Sequence, residues 1–322
     1  MSETRSLFIP RRLAYLGVGV LLILLCVYLV MSTIDGDFSI GSPRADWDEY
    51  SIPADPGAGY TWELLPLSDE FNYTVPAAGK GPEFTEKWKD TYHNAWKGPG
   101  LTEWRRDHSW VEEGKLVIAA SRKPGQENVY AGIITSRQRV VYPVYVEVRA
   151  KISKLVMASG VWMLSPDDTQ EIDIVEAYGS DRPDQKWFAE RVHLSHHVFI
   201  RSPFQDYQPK DPASWYRYQG TVWSDEFHRY GVYWRDPWHL EYYIDGELVR
   251  TVSGPSIIDP HNFTQGAGLN KAMDVIIDTE DQNWRSDEGI TPTDEELADD
   301  SKRFFYVDWI RFYKPVPGTG GD

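Results

Sequence analysis

From about residue 60 to 315 the chain has no long stretch with a helical period and many short ones with the period of a strand. Residues 115–120, 130–136, 144–152, 160–165, 191–201, 229–234, 239–244, 247–252, 272–278 and 303–313 alternate polar with apolar residues or run β-branched, as half-buried or fully buried strands do. Turn residues separate them, and Asp245-Gly246 makes a hairpin between two of these stretches. One short helix is expected at 293–298, where Pro292 and the Thr293-x-x-Glu296 spacing form a start signal. A chain built almost wholly of short strands must bury its apolar faces sheet against sheet. The expected fold is therefore all-β, a sandwich or jelly roll.

One of these stretches carries the chemistry. In Gln170-Glu171-Ile172-Asp173-Ile174-Val175-Glu176-Ala177-Tyr178-Gly179, three carboxylates are set among β-branched residues. Successive side chains of a strand face opposite ways, so Glu171 and Asp173 share a face while Ile172 and Ile174 take the core. Glu176 has the wrong parity. A one-residue bulge between Asp173 and Glu176 restores it, and bulges recur where a side chain is re-aimed beside an active site. With the bulge, Glu171 and Glu176 are four pleat positions apart, roughly 13 Å between Cα atoms at about 3.3 Å per residue. Glutamates leaning together across that gap bring their carboxyls to about 5 Å, the separation in a retaining glycosidase. Asp173, between two like charges, is expected to share a proton with the nucleophile and to hold up the pKa of the acid/base. Three carboxylates on one strand face repel one another, so they point to a function or a metal rather than to solvation.

E-I-D-I-V-E resembles the E-x-D-x-x-E signature of glycoside hydrolase family 16, and the run from Val161-Trp162-Met163-Leu164-Ser165 through Gly179 is similar to the β-agarases of that family. The runs 194–201 (LSHHVFIR), 268–271 (GLNK), 280–285 (EDQNWR) and 307–311 (VDWIR) agree, so the resemblance covers about residues 60 to 315. It implies a concanavalin A-like β-jelly roll with a concave sheet as substrate cleft. Glu171 would be the nucleophile, Asp173 its electrostatic assistant and Glu176 the acid/base. It further implies that Trp162 stacks on a sugar ring, that His197 and Arg201 donate to sugar hydroxyls, and that Glu280 binds substrate. In the strand at 191–201, parity independently sets His193, Ser195, His197, Phe199 and Arg201 apart from the mostly apolar Leu194, His196, Val198 and Ile200. Trp96 and Trp104 flank Gly98-Pro99-Gly100, a stiff loop suited to a cleft wall. Asp308, with backbone oxygens near Glu70 and Gly114, resembles the family's structural calcium site on the convex face. No cofactor is expected for catalysis.

Charge narrows the partners. With 33 basic against 49 acidic residues, net −16, the chain does not suit nucleic acid, an anionic membrane surface or a heavily sulfated polysaccharide. Its 14 Trp and 19 Tyr offer flat, polar-tipped rings that suit a neutral sugar. The only cysteine, Cys26, lies in an apolar run, which excludes an intramolecular disulfide. That run, 13–31, has no charge and would span about 28 Å as a helix, enough for the hydrocarbon layer. Arg5, Arg11 and Arg12 precede it, and Asp35 and Asp37 follow, which places the N-terminus inside. The expected organisation is a cytoplasmic 1–12, a signal anchor or transmembrane helix at 13–32, a polar linker at 33–60, a catalytic domain at 61–315 and a flexible tail at 316–322. The sequence thus reads as a monomeric, exported and membrane-anchored enzyme, or a secreted one if the segment is cleaved. The family resemblance implies that it cleaves the β-1,4-galactosidic bonds of agarose, endo-acting and with retention, releasing neoagaro-oligosaccharides. The alternatives are a relative acting on porphyran, carrageenan or laminarin, and a non-catalytic polysaccharide-binding lectin.

Overall fold

The structure, a computed structural model, describes residues 50–318. These residues belong to one compact unit. The segment 13–32, expected as the anchor, lies outside the described residues, among which no helix is long and apolar enough to cross a membrane.

Two open sheets pack face to face. The first runs in the order 204–207, 192–201, 170–177, 158–164, 274–280, 133–136, 88–89, with 215–216 on its 192–201 strand. The second runs 247–253, 239–244, 228–236, 144–151, 304–317, 115–122, 129–131, 102–104, with 60–64 and 109–112 joined to its middle strands. All pairings are antiparallel except Thr102–Trp104 with Val129–Ala131.

Alternation decides which face is buried. Ile172 and Ile174, Val161 and Met163, Leu194 and Val198, and Val275 and Ile277 point from the first sheet onto Val144, Val146, Val148 and Ile310 of the second. A fully buried aliphatic side chain contributes about 1.5–3 kcal/mol, so this shared layer fixes the register of every strand in it. The opposite face of the first sheet is left for polar work.

The expected sandwich is present, and its differences from expectation have local causes. Residues 130–136 were expected as one strand and are two, Val129–Ala131 in the second sheet and Ile133–Ser136 in the first. Gly132 makes the crossing, because a Cβ there would sit 2.0 Å from the carbonyl oxygen of His108. The last part of the expected linker is packed rather than free: Ala54 is buried, and its carbonyl accepts from Trp62 Nε1 at 2.9 Å. The last strand runs on to Pro317, into the expected tail, because Tyr60–Leu64 pairs with it. The helix Asp294–Ala298 begins with Thr293 and Glu296 in a reciprocal capping box.

Candidate active site

The strand Gln170–Ala177 contains the expected bulge. Asp173 faces Ser195 and Glu176 faces His193, so three steps on this strand match two on its neighbour. On the other side Asp173 faces Trp162 and Val175 faces Val161, which places the extra residue at Ile174–Val175. The insertion turns Glu176 to the face already held by Glu171 and Asp173. All three line a cavity of about 710 Å³ on the first sheet, together with Trp162, His193, His197, Arg201 and Glu280.

Histidines from the adjacent strand set the charge balance. His193 Nδ1 lies 2.7 Å from Glu176 Oε2, and the Tyr178 hydroxyl donates to the same carboxylate. Burial alone would raise Glu176, but these donors, His193 foremost, hold it below the ordinary glutamate range. Glu171 is raised by burial and by its neighbour Asp173, and Asp173 is raised by burial and by Glu176. Both members of the Glu171–Asp173 pair are thus pushed toward the protonated form. Glu176, expected to be raised, is lowered, because His193 and Tyr178 outweigh the carboxylates.

His197 stands over that pair, its Nε2 3.8 Å from Glu171 Oε1 and 3.7 Å from Asp173 Oδ2. Its Nδ1 lies 2.8 Å from Asp206 Oδ1. Burial disfavours the imidazolium, but the Asp206 bond and the charges of Glu171 and Asp173 overcome it and push His197 up to about 10. The donors of Glu171, Asp173 and His197 lie within 4.8 Å of one another, close enough to hold a metal ion.

The other expected residues take four different places. Trp96, half exposed, lines the cavity beside Tyr92, and Arg201 lies 4.4 Å over the Phe199 ring with its Nε donating to the Asp168 carbonyl. Trp162 lines the cavity floor but is only 9% exposed, packed with Tyr92, Ile133, Leu164 and Ile276. Trp104 is not in the wall: it stacks behind Tyr92 at 5.1 Å and meets Trp96 edge-on at 5.2 Å, because the parallel strand it sits on turns it behind them. Asp308 is paired with Arg149, and Glu70 is held by Arg311 at 2.8 and 2.9 Å. Arg149 thus supplies a counter-charge to Asp308, the carboxylate of the expected calcium site.

Several site residues had no role in the sequence reading. Asp278, 0% exposed, accepts from Trp162 Nε1 at 3.1 Å under the floor at Gly160, where a Cβ would come within 2.8 Å of its Oδ1. Burial pushes Asp278 up to about 7, and burial together with Asp278 raises Glu280 well above its ordinary range. The signal was the alternation of Asp274, Ile276, Asp278 and Glu280 against Val275 and Ile277. Trp215 stacks on His193 at 4.3 Å, and no nearby pattern marks it.

Residues 62–315 match the family model described as Beta-porphyranase A-D, GH16 domain. The chain is 65% identical over 277 residues to Beta-agarase AgaA of Microbulbifer thermotolerans, a match covering 86% of this chain and 64% of that protein. The chain thus spans less than two thirds of the length of that relative. It is 58% identical over 296 residues to Beta-agarase B of Zobellia galactanivorans, covering 85% of this chain and 84% of that protein. The crystal structure of an inactivated mutant of β-agarase B in complex with agaro-octaose superposes with a TM-score of 0.82 at 56% identity, over 84% of this chain and 100% of that one. A family model matched from residue 62 to 315, around a cleft whose floor carries the E-x-D-x-x-E carboxylates, makes this chain a member of glycoside hydrolase family 16.

Proposed function

We propose that this chain is an endo-acting, retaining β-agarase on a jelly-roll scaffold. The observation that carries the reading is the bulge, which brings Glu171, Asp173 and Glu176 onto one face of an aromatic-lined cleft; the agarase relatives supply the substrate. Glu171 attacks the anomeric carbon and forms the glycosyl-enzyme ester. Glu176 gives its proton to the departing glycosidic oxygen, then takes one from the water that hydrolyses the ester. In the unliganded site burial raises Glu171 and Asp173 whereas His193 and Tyr178 lower Glu176, so the acid role of Glu176 is set up only with substrate bound. Asp173, between the two glutamates on the strand face, is placed to pass it a proton.

The test incubates the full-length chain with agarose, porphyran, κ-carrageenan and laminarin, following reducing ends and early anomers by NMR. Agarose cleavage with the β-anomer first is the expected result. Porphyran is included because the matching family model carries that name. Glu171→Gln should abolish turnover and retain oligosaccharide binding; substantial turnover in that variant removes Glu171 from the role. A folded protein that releases nothing from any of the four is a lectin.

We also infer that 13–32 anchors the chain in a membrane with the cleft outside the cytoplasm. The support is the uncharged run that follows Arg5, Arg11 and Arg12.

A further inference from the structure

We propose that the floor of the cleft is also a transition-metal site: Glu171, Asp173 and His197 bind one zinc-class divalent cation, which then holds the carboxylate that has to act as nucleophile. The metal site stands on geometry alone, and only its effect on turnover rests on the proposed function. Three observations carry it. The donor atoms of the three side chains already converge within 4.8 Å of one another, with His197 Nε2 3.8 Å from Glu171 and 3.7 Å from Asp173. Ligands about 2.0–2.2 Å from a tetrahedral zinc stand about 3.3–3.6 Å apart, so the two separations from His197 need to close by a few tenths of an ångström, and the two carboxylates, within 4.8 Å of each other, by no more than about 1.5 Å, to supply three of the four ligands.

Asp173 Oδ2 is the second observation. The residue is 6% exposed, and this oxygen is buried, aimed at His197 and without a hydrogen-bond partner. A buried carboxylate oxygen left in that state is costly, and a cation removes the cost. The third is the far side of the imidazole, where Nδ1 meets Asp206 at 2.8 Å. A carboxylate on one ring nitrogen turns the other toward the metal and makes it more basic, the usual support of a metal-binding histidine.

The ligand set selects the ion. One imidazole nitrogen with two carboxylates suits zinc, copper or cobalt, whereas magnesium and calcium prefer shells of oxygen alone. The ion binds at His197 Nε2. Gln208, whose Nε2 lies 2.7 Å from that atom, must swing aside, and its amide oxygen is then available as a fourth donor.

The test titrates the full-length chain with zinc chloride in a chelator-free buffer by calorimetry, and with cobalt(II) by visible absorption. A single saturable site is expected, with a cobalt spectrum of low coordination number, insensitive to excess magnesium. Glu171→Gln and His197→Asn should each weaken zinc by more than tenfold. Asp206→Asn, which spares every ligand, should weaken it 10–100-fold. Melting curves confirm that each variant is folded. Wild-type protein with no saturable heat, or zinc affinity unchanged in Glu171→Gln and His197→Asn, overturns the site. Zinc that binds as expected without slowing turnover overturns the link to the nucleophile and leaves the metal site standing; a chain inactive on every glycan still reports on the metal through both titrations.

Discussion

Asp278 gives the sharpest test of the electrostatics beneath the cleft. It is fully buried, holds Trp162 Nε1 at 3.1 Å, and has its carboxyl pushed from 3.8 to about 7 by burial. Asp278→Asn keeps an oxygen for the indole and removes the titration. A group whose folded pKa is raised contributes stability that is fully present below its unfolded pKa and lost as pH rises through the folded one. The wild type should therefore weaken relative to the variant between about pH 4 and pH 8. Three pKa units set a ceiling of about 4 kcal/mol. Between pH 5 and 8 the expected change is about 3 kcal/mol, falling to about 1.5 kcal/mol if Glu280 carries half of the proton. Urea unfolding of both full-length proteins at pH 5, 6, 7 and 8 measures it, with equal slopes as the check that both unfold to the same extent. Parallel pH curves, within about 0.5 kcal/mol of each other throughout, would refute the claim that Asp278 is kept neutral by its burial.

Two further outcomes can be measured. His193→Ala removes the main donor that lowers Glu176 and leaves its burial, so the acid limb of kcat/KM, which Glu176 sets because it titrates below Glu171 and Asp173, should move up by about 1–2 pH units, the worth of a hydrogen bond to a charged group. His193→Gln, which keeps a donor, should move it less, and an unmoved limb in both separates His193 from Glu176. For the anchor, membranes from cells expressing the full-length chain should retain the protein through alkaline carbonate washing, and a chain starting at residue 50 should be released; quantitative release of the full-length chain removes the anchor.

The features written in single strands were legible in the sequence. The clash between the parity of Glu176 and that of Ile172 and Ile174 could be resolved only by an inserted residue, and the insertion lies at Ile174–Val175. Likewise, alternation set His193, Ser195, His197, Phe199 and Arg201 on the cleft side, and all but Ser195, which is buried, line the cavity. Long-range geometry was not legible. Gly132 looks like an ordinary residue of one strand until the carbonyl of His108 comes close enough to exclude a side chain. Trp96 and Trp104 both flank Gly98-Pro99-Gly100, yet only Trp96 reaches the cavity, whereas Trp104 sits on a strand paired in parallel with 129–131 and stacks behind Tyr92. The charge order of the site also escaped, since His193 and Tyr178 act on Glu176 across a strand boundary and along the strand, and together reverse what three carboxylates alone would do.

The pairing of Tyr60–Leu64 with the last strand also sets how the domain bears force. A pull on the chain ahead of this strand, directed along the strand axis, meets five backbone partners from Tyr60↔Pro317 to Leu64↔Tyr313 side by side. They must slip together, since none can be peeled off first. The strand they grip is itself clamped by 116–119 and 145–151, so the load spreads into the second sheet. The first sheet, with its bulge and its carboxylates, takes no part in that pairing, so a pull on the chain ahead of residue 60 is met first by the second sheet.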